Sequence, residues 1–153
     1  MNKNTKEIPV APYVKAFMLA EFGPEPIAIH SSSFMGALLL MNAEKCPYRL
    51  DAPKLNTQGL TTLKVTLPKS LKYKTITPES ARAMGNFLDK FFRQQFILWV
   101  KGQIEITGNE NHALNTFYDR YQLNPDHMDL ETLRKVWRDA KEKIARDLAR
   151  QAA

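Results

Sequence analysis

The longest apolar periodicity in the chain begins near residue 78 and constrains the fold more than any other feature. Thr77-Pro78-Glu79 precedes it: threonine can cap a helix, proline suits the first helical position, and glutamate meets the positive end of the macrodipole. The face that we predict to be apolar carries Ala81, Met84, Leu88, Phe91, Gln95 and Trp99, broadened by Phe87, Phe92, Phe96 and Leu98. A helix over about 78–104 that is so rich in aromatic residues is predicted to be the central element of the core.

Helical spacing and strand alternation place the other elements. We predict helices over about 11–22, 34–44, 110–122 and 130–151, a short strand at 27–29, a strand over 61–67 and a loop or edge ribbon over 48–60. The last helix has an apolar stripe of Leu133, Trp137, Ala140, Ile144 and Leu148, and the one before it turns Leu114, Phe117, Tyr118 and Tyr121 inward. The predicted fold class is therefore α+β, predominantly helical, with a small β component in the first half.

The length of 153 residues and the 44% hydrophobic content favour one ordinary globular domain. No linker of distinct composition interrupts the chain. We predict a single domain over 1–153, with a loose polar tail over 1–8, a mixed α/β part over 9–75 and a helical part over 76–153.

A single cysteine, Cys46, excludes an internal disulfide framework and a cysteine-cluster zinc site, and it fits a reducing cytoplasm. The first ten residues contain no apolar run, so we expect no secretory signal peptide. The longest apolar stretch, Met35–Met41, is far shorter than the roughly 20 residues that span a membrane. A cytoplasmic protein without a membrane segment is predicted.

Candidate catalytic groups are scarce. None of the three histidines, His30, His112 and His127, has the spacing of a metal-binding motif. His30 stands beside Ser31-Ser32-Ser33, but a serine there is better explained as the cap of the following helix than as a nucleophile. No glycine-rich phosphate loop occurs. We therefore predict a protein that is not an enzyme and holds no cofactor and no metal.

Net charge is the global feature that suggests a partner. The chain carries a formal charge of +6 and has a pI of about 9.5, a balance that favours a polyanion such as nucleic acid. The charge is uneven: residues 1–75 carry +5, residues 76–130 carry −2 and residues 131–153 carry +3. Two basic flanks therefore enclose an acidic centre.

The last two predicted helices have the outline of a helix-turn-helix, in which the second helix presents basic and polar groups to the major groove of double-stranded DNA. The residues predicted to contact nucleic acid there are Thr132, Arg134, Lys135, Arg138, Lys141 and Arg146. The connection is longer than the usual turn of about three or four residues. An ordinary solvated face, with Glu131–Lys135 and Asp139–Lys143 ion pairs, remains the alternative.

A second basic segment follows the predicted strand over 61–67. Its candidate phosphate contacts are Lys64, Lys69, Lys72 and Lys74. Lysines also protect exposed strand edges from pairing with other chains, and both interpretations stay open.

The aromatic helix supports a different hypothesis. If one of its aromatic edges stays exposed, it would be buried in a homo-oligomer or against another protein. The alternative function is thus a protein–protein interaction or assembly module that binds no nucleic acid.

Three stretches of the chain carry a family resemblance. FYDRYQLNPDHMDLETLRKVWRDAKEKI, VAPYVKAFMLAEFGPEPIAI and SSSFMGALLL resemble short proteins encoded in phages and integrated mobile elements of anaerobic gut bacteria. The shared pattern is an aromatic-rich helix, a Y-x-L/I turn and a T-L-R/K-aromatic-R helix. This resemblance covers most of the chain and supplies no catalytic residues. It implies a phage or mobile-element context, in which a small basic protein would serve regulation or replication.

Overall fold

The computed structural model describes residues 5–42, 44–45, 59–69 and 74–153. Its elements in chain order are β1 (Thr5–Val10), α1 (Pro12–Phe22), β2 (Ile27–Ala28), α2 (Phe34–Asn42), β3 (Glu44–Lys45), β4 (Thr61–Thr66), β5 (Lys74–Thr75), α3 (Pro78–Thr107), α4 (Glu110–Arg120) and α5 (Leu130–Gln151). The predicted α+β class, mainly helical with a small sheet in the first half, is confirmed. The expectations for Cys46 and for most of the predicted loop over 48–60 fall outside the described residues.

The chain forms two compact units, Met1–Lys90 and Phe91–Ala153, and α3 contributes to both. The boundary lies inside a helix and not near residue 75, where the sequence suggests a change from mixed to helical structure. Whether residues 1–153 fold as one cooperative domain stays a prediction.

The first unit contains a two-stranded sheet of β3 and β5 and a three-stranded sheet with β4 in the middle. β1 pairs antiparallel on one side, with Ile8 opposite Leu63, and β2 pairs parallel on the other, with Ile27 opposite Val65. The loose tail predicted for residues 1–8 is wrong from Thr5 onwards, because Ile8 is fully buried in a strand. Proline is tolerated in β1 because this is an edge strand, where a missing N–H costs no ladder hydrogen bond.

Local capping chemistry places the helix starts of the first unit as predicted. Ser33 caps α2: its hydroxyl accepts from Gly36 N at 3.0 Å and donates to the His30 carbonyl at 2.6 Å. Thr77 caps α3 by accepting from Ser80 N at 3.1 Å. These short-range bonds satisfy amide groups that have no partner inside the helix.

The first part of α3 comes very close to β1. A Cβ atom built on Gly85 would collide with the Pro9 carbonyl oxygen, so only glycine permits this approach. Ala81, Met84 and Leu88 are buried around it.

The second unit is built around Phe117 of α4. Its ring lies 5.8 Å from that of Phe92 and 5.0 Å from that of Phe96, both in edge-on geometry. The buried row of α3 continues through Phe92, Phe96 and Val100, whereas the predicted row of Phe91, Gln95 and Trp99 is only half-buried. Both rows are largely apolar, so the sequence pattern alone does not distinguish them. Phe92 and Phe96 pack on Phe117 of α4, and from the other row Trp99 contacts the same ring at 6.1 Å.

Nine ordered residues, 121–129, connect α4 to α5. The Asn124 side chain accepts from the backbone amides of Asp126 and His127 at 3.0 and 3.1 Å. Tyr118 donates its hydroxyl to the Met128 carbonyl at 2.9 Å. The connection is therefore held by specific bonds, and it is about twice as long as the turn of a DNA-binding helix-turn-helix.

Candidate nucleic-acid interface

The start of α5 is acidic. Asp129 caps the helix, and one carboxylate oxygen accepts from both the amide and the hydroxyl of Thr132, at 2.7 and 2.6 Å. These two bonds lower the pKa of Asp129 below its usual value. Because Thr132 is used in the cap and Glu131 stands beside it, a phosphate approaching this helix N-terminus would meet two carboxylates.

Two of the five basic residues predicted to contact nucleic acid from α5 are held by acidic neighbours. Arg134 pairs with Glu131, one turn earlier on the same helix. Lys141 Nζ lies 2.8 Å from Glu110 Oε1 at the start of α4 and 5.8 Å from the centre of the Trp137 ring. A phosphate that approaches either cation would have to compete with the neighbouring carboxylate.

Glu110 is not among the predicted site residues, since it lies 31 positions before Lys141 and no local pattern joins them. The hydrogen bond from Lys141 holds the pKa of the Glu110 carboxyl below its usual value of 4.5. The pair joins the first turn of α4 to the middle of α5.

Lys135, Arg138 and Arg146 are the basic residues of α5 that remain free among those predicted. All three are exposed, and no hydrogen bond or ion pair joins them to another residue of the described ranges. The alternative interpretation as a solvated face requires a Glu131–Lys135 pair, whereas Glu131 pairs with Arg134. The three free cations lie on the side of α5 away from the stripe formed by Leu133, Trp137 and Ile144.

The second half of α5 extends beyond the start of α4. Because Lys141 lies level with the first residue of α4, the following segment Glu142–Gln151 has no part of α4 beside it. At a rise of about 1.5 Å per residue, this segment is about 15 Å long. All its residues except Ile144 are exposed, including Lys143 and Arg150, two cations absent from the predicted set.

The strand lysines occupy a different setting from the one that the sequence suggested. Lys64 lies in β4, which is the middle strand and not an edge, so its interpretation as edge protection is wrong. The Lys64 amide donates to Glu25 Oε1 at 2.8 Å, just before the pairing with β2 begins. The side chains of Lys64 and Lys69 are exposed. Lys72 and the Lys74 side chain lie outside the described residues.

Membrane-spanning helices and metal-binding groups of side chains are both absent from the described residues. No helix there has both the length and the apolar composition needed to cross a membrane, and no three or more His, Cys, Asp or Glu side chains are grouped so that they could hold a metal ion.

Comparison with protein-family models, with curated proteins and with solved structures finds no match for this chain.

Proposed function

We propose that this chain is a non-enzymatic DNA-binding accessory or regulatory protein of a phage or mobile element, which acts in the cytoplasm and contacts double-stranded DNA through α5. The observation that carries the proposal is the set of exposed, unpaired cations Lys135, Arg138 and Arg146 on one helix. The phage or mobile-element setting rests on the resemblance of three sequence stretches.

The geometry of α5 favours contact along the helix and not at its start. An α-helix fits into the major groove, and cations along its length neutralise phosphates on either side. Asp129 and Glu131 make the first turn of α5 unfavourable for a phosphate, whereas the segment after Lys141 protrudes from the unit. We therefore place the contact on the middle and the end of α5.

The decisive experiment is a titration of duplex DNA by fluorescence anisotropy at several salt concentrations. The variant Lys135→Ala/Arg138→Ala/Arg146→Ala removes the three free cations of α5. If each makes one phosphate contact, the slope of log K against log salt falls by about 2.7 in magnitude, since each lost contact removes about 0.9.

The matched control is Arg82→Ala/Lys90→Ala/Lys101→Ala, which removes the same charge from three exposed positions of α3. It should leave most of the salt dependence in place. Equal losses for the two variants would show that only net charge matters, and an unchanged slope for the α5 variant would refute the proposed interface.

The protein–protein alternative is favoured by a separate observation in the first unit. Phe34 and Phe87 are 41% and 43% exposed, and their ring centres lie 5.7 Å apart. A surface aromatic pair of this kind is typical of interfaces. No salt-dependent DNA binding, together with a co-purifying protein whose binding Phe87→Ser abolishes, would establish this alternative instead.

A further inference from the structure

The protruding end of α5 carries an apolar stripe that this chain does not fully cover. Ala140, Ile144 and Leu148 recur every four residues and so lie on one side of the helix. Ala140 and Ile144 are half-buried and Leu148 is 60% exposed, while the buried residues of α5 are Leu133 and Trp137 in its first half.

Covering this stripe would stabilise the end of α5. A helix of about 12–15 residues is marginal in water by itself, and most helices in proteins are stabilised by packing of an amphipathic face. The segment Arg138–Gln151 is fully helical, and beyond the level of Glu110 its stripe is only partly covered, since Ile144 is half-buried and Leu148 is exposed. A second apolar helix surface would supply the missing contact.

The charged residues beside the stripe indicate which helix surface would cover it. Lys143 and Asp147 lie on the same flank, one turn apart, and neither forms an ion pair within the described residues. We propose that a second copy of this chain covers the stripe, with the two α5 helices antiparallel and centred on Ala145. In that register Lys143 of each copy lies opposite Asp147 of the other, and Ile144 and Leu148 of the two copies alternate along the interface.

The antiparallel arrangement follows from the position of the charges. A two-fold axis between antiparallel helices brings the same flank of both copies together, so one Lys–Asp pair forms twice. In a parallel pair this flank would meet the opposite one, on which Lys141 and Ala145 lie and which carries no acidic residue at this level. Only the antiparallel arrangement therefore places an opposite charge beside both Lys143 and Asp147.

The interface is short, so association should depend on protein concentration in the micromolar range or above. Sedimentation equilibrium of the full chain without DNA should show monomer and dimer. Leu148→Glu should abolish the dimer, because it places a carboxylate in the stripe. Ala149→Glu adds the same carboxylate at an exposed position on the side of α5 away from the stripe and is the matched control, expected to leave the dimer constant unchanged.

Charge reversal tests the register itself. Lys143→Glu and Asp147→Lys should each weaken self-association about tenfold, because each replaces two attractions by two repulsions. An equimolar mixture of the two variants should associate again, since the flank of one variant is then wholly acidic and faces a wholly basic flank on the other. Neither variant can form an opposite-charge pair between these two positions of its own helix, so recovery reports only contacts between copies.

A chain that stays monomeric at all concentrations would overturn the proposal, and so would a dimer insensitive to Leu148→Glu or a mixture that fails to recover. Circular dichroism of each variant shows whether it remains folded. The free cations of the DNA hypothesis lie outside this stripe, so loss of DNA binding by Lys135→Ala/Arg138→Ala/Arg146→Ala with an intact dimer would separate the two proposals.

Discussion

The two halves of α5 have the same amphipathic pattern but different surroundings. In Leu130–Trp137 the stripe enters the core, where Leu133 is fully buried, whereas in Arg138–Gln151 the stripe ends on Leu148, which is 60% exposed. The Glu110–Lys141 ion pair marks the change. An amphipathic sequence thus predicts that a helix has a partner surface, but not that the surface belongs to the same chain.

The long helix α3 shows the same contrast through two glycines. Gly85 faces the Pro9 carbonyl so closely that no side chain fits, while a Cβ on Gly102 would have no neighbour within 4 Å. Identical residues in one helix therefore meet opposite constraints, and substitution at both positions measures the difference directly.

Replacing a leucine by alanine in each half of α5 should change the free energy of unfolding by very different amounts, and the change in the first half is the largest that we expect. Leu133→Ala should lower the free energy of unfolding by about 2–5 kcal/mol, because it leaves a cavity in the core. Leu148→Ala should change it by less than about 0.5 kcal/mol in dilute protein, since the side chain is exposed. Chemical denaturation measures both, and similar losses would mean that the halves are packed alike.

A smaller effect is expected at the two glycines of α3. Gly85→Ala should destabilise the fold by about 1–3 kcal/mol because the added methyl group meets a backbone oxygen that can move only with β1. Gly102→Ala should stabilise it by up to about 1 kcal/mol through helix propensity. Thermal melts would contradict this contrast if both variants shifted Tm in the same direction.

The smallest effect concerns the Glu110–Lys141 ion pair, which joins α4 to α5. Lys141 lowers the pKa of Glu110 below 4.5, so the ionised carboxylate stabilises the fold above that pH and loses its contribution as pH falls through the folded-state pKa. Glu110→Gln should therefore cost about 0.5 kcal/mol at neutral pH, the size typical of an exposed pair, and less in acid.

Glu105→Gln, an exposed glutamate of α3, provides the control for this measurement. Denaturation at neutral and acidic pH should show a gap between wild type and Glu110→Gln that closes on acidification. A gap independent of pH would assign the effect to packing and not to charge.

Most element boundaries could be predicted because their causes are local. Pro12 starts α1, Ser33, Thr77 and Asp129 cap three further helices, and the predicted ends of α5 agree with the structure. The alternation in β4 likewise identified a strand with Leu63 and Val65 inward. Each signal acts within a few residues, so it is visible in a single sequence.

The errors have non-local causes. β1 looked like a polar tail because its stability comes from pairing with β4, more than 50 residues later in the chain. The buried face of α3 turned toward Phe92 and Phe96 because Phe117 packs there. For the candidate site, the basic residues of α5 could be named from the sequence, but the subset bound to acidic neighbours could not.

Residue type and spacing alone predict the helical character of the second half, the amphipathic stripe of α5 and the excess of basic charge. Which cations remain free and which part of the stripe is covered depend on how the helices pack. Glu110 reaches Lys141 only because α4 and α5 lie side by side, and the same packing ends before Leu148.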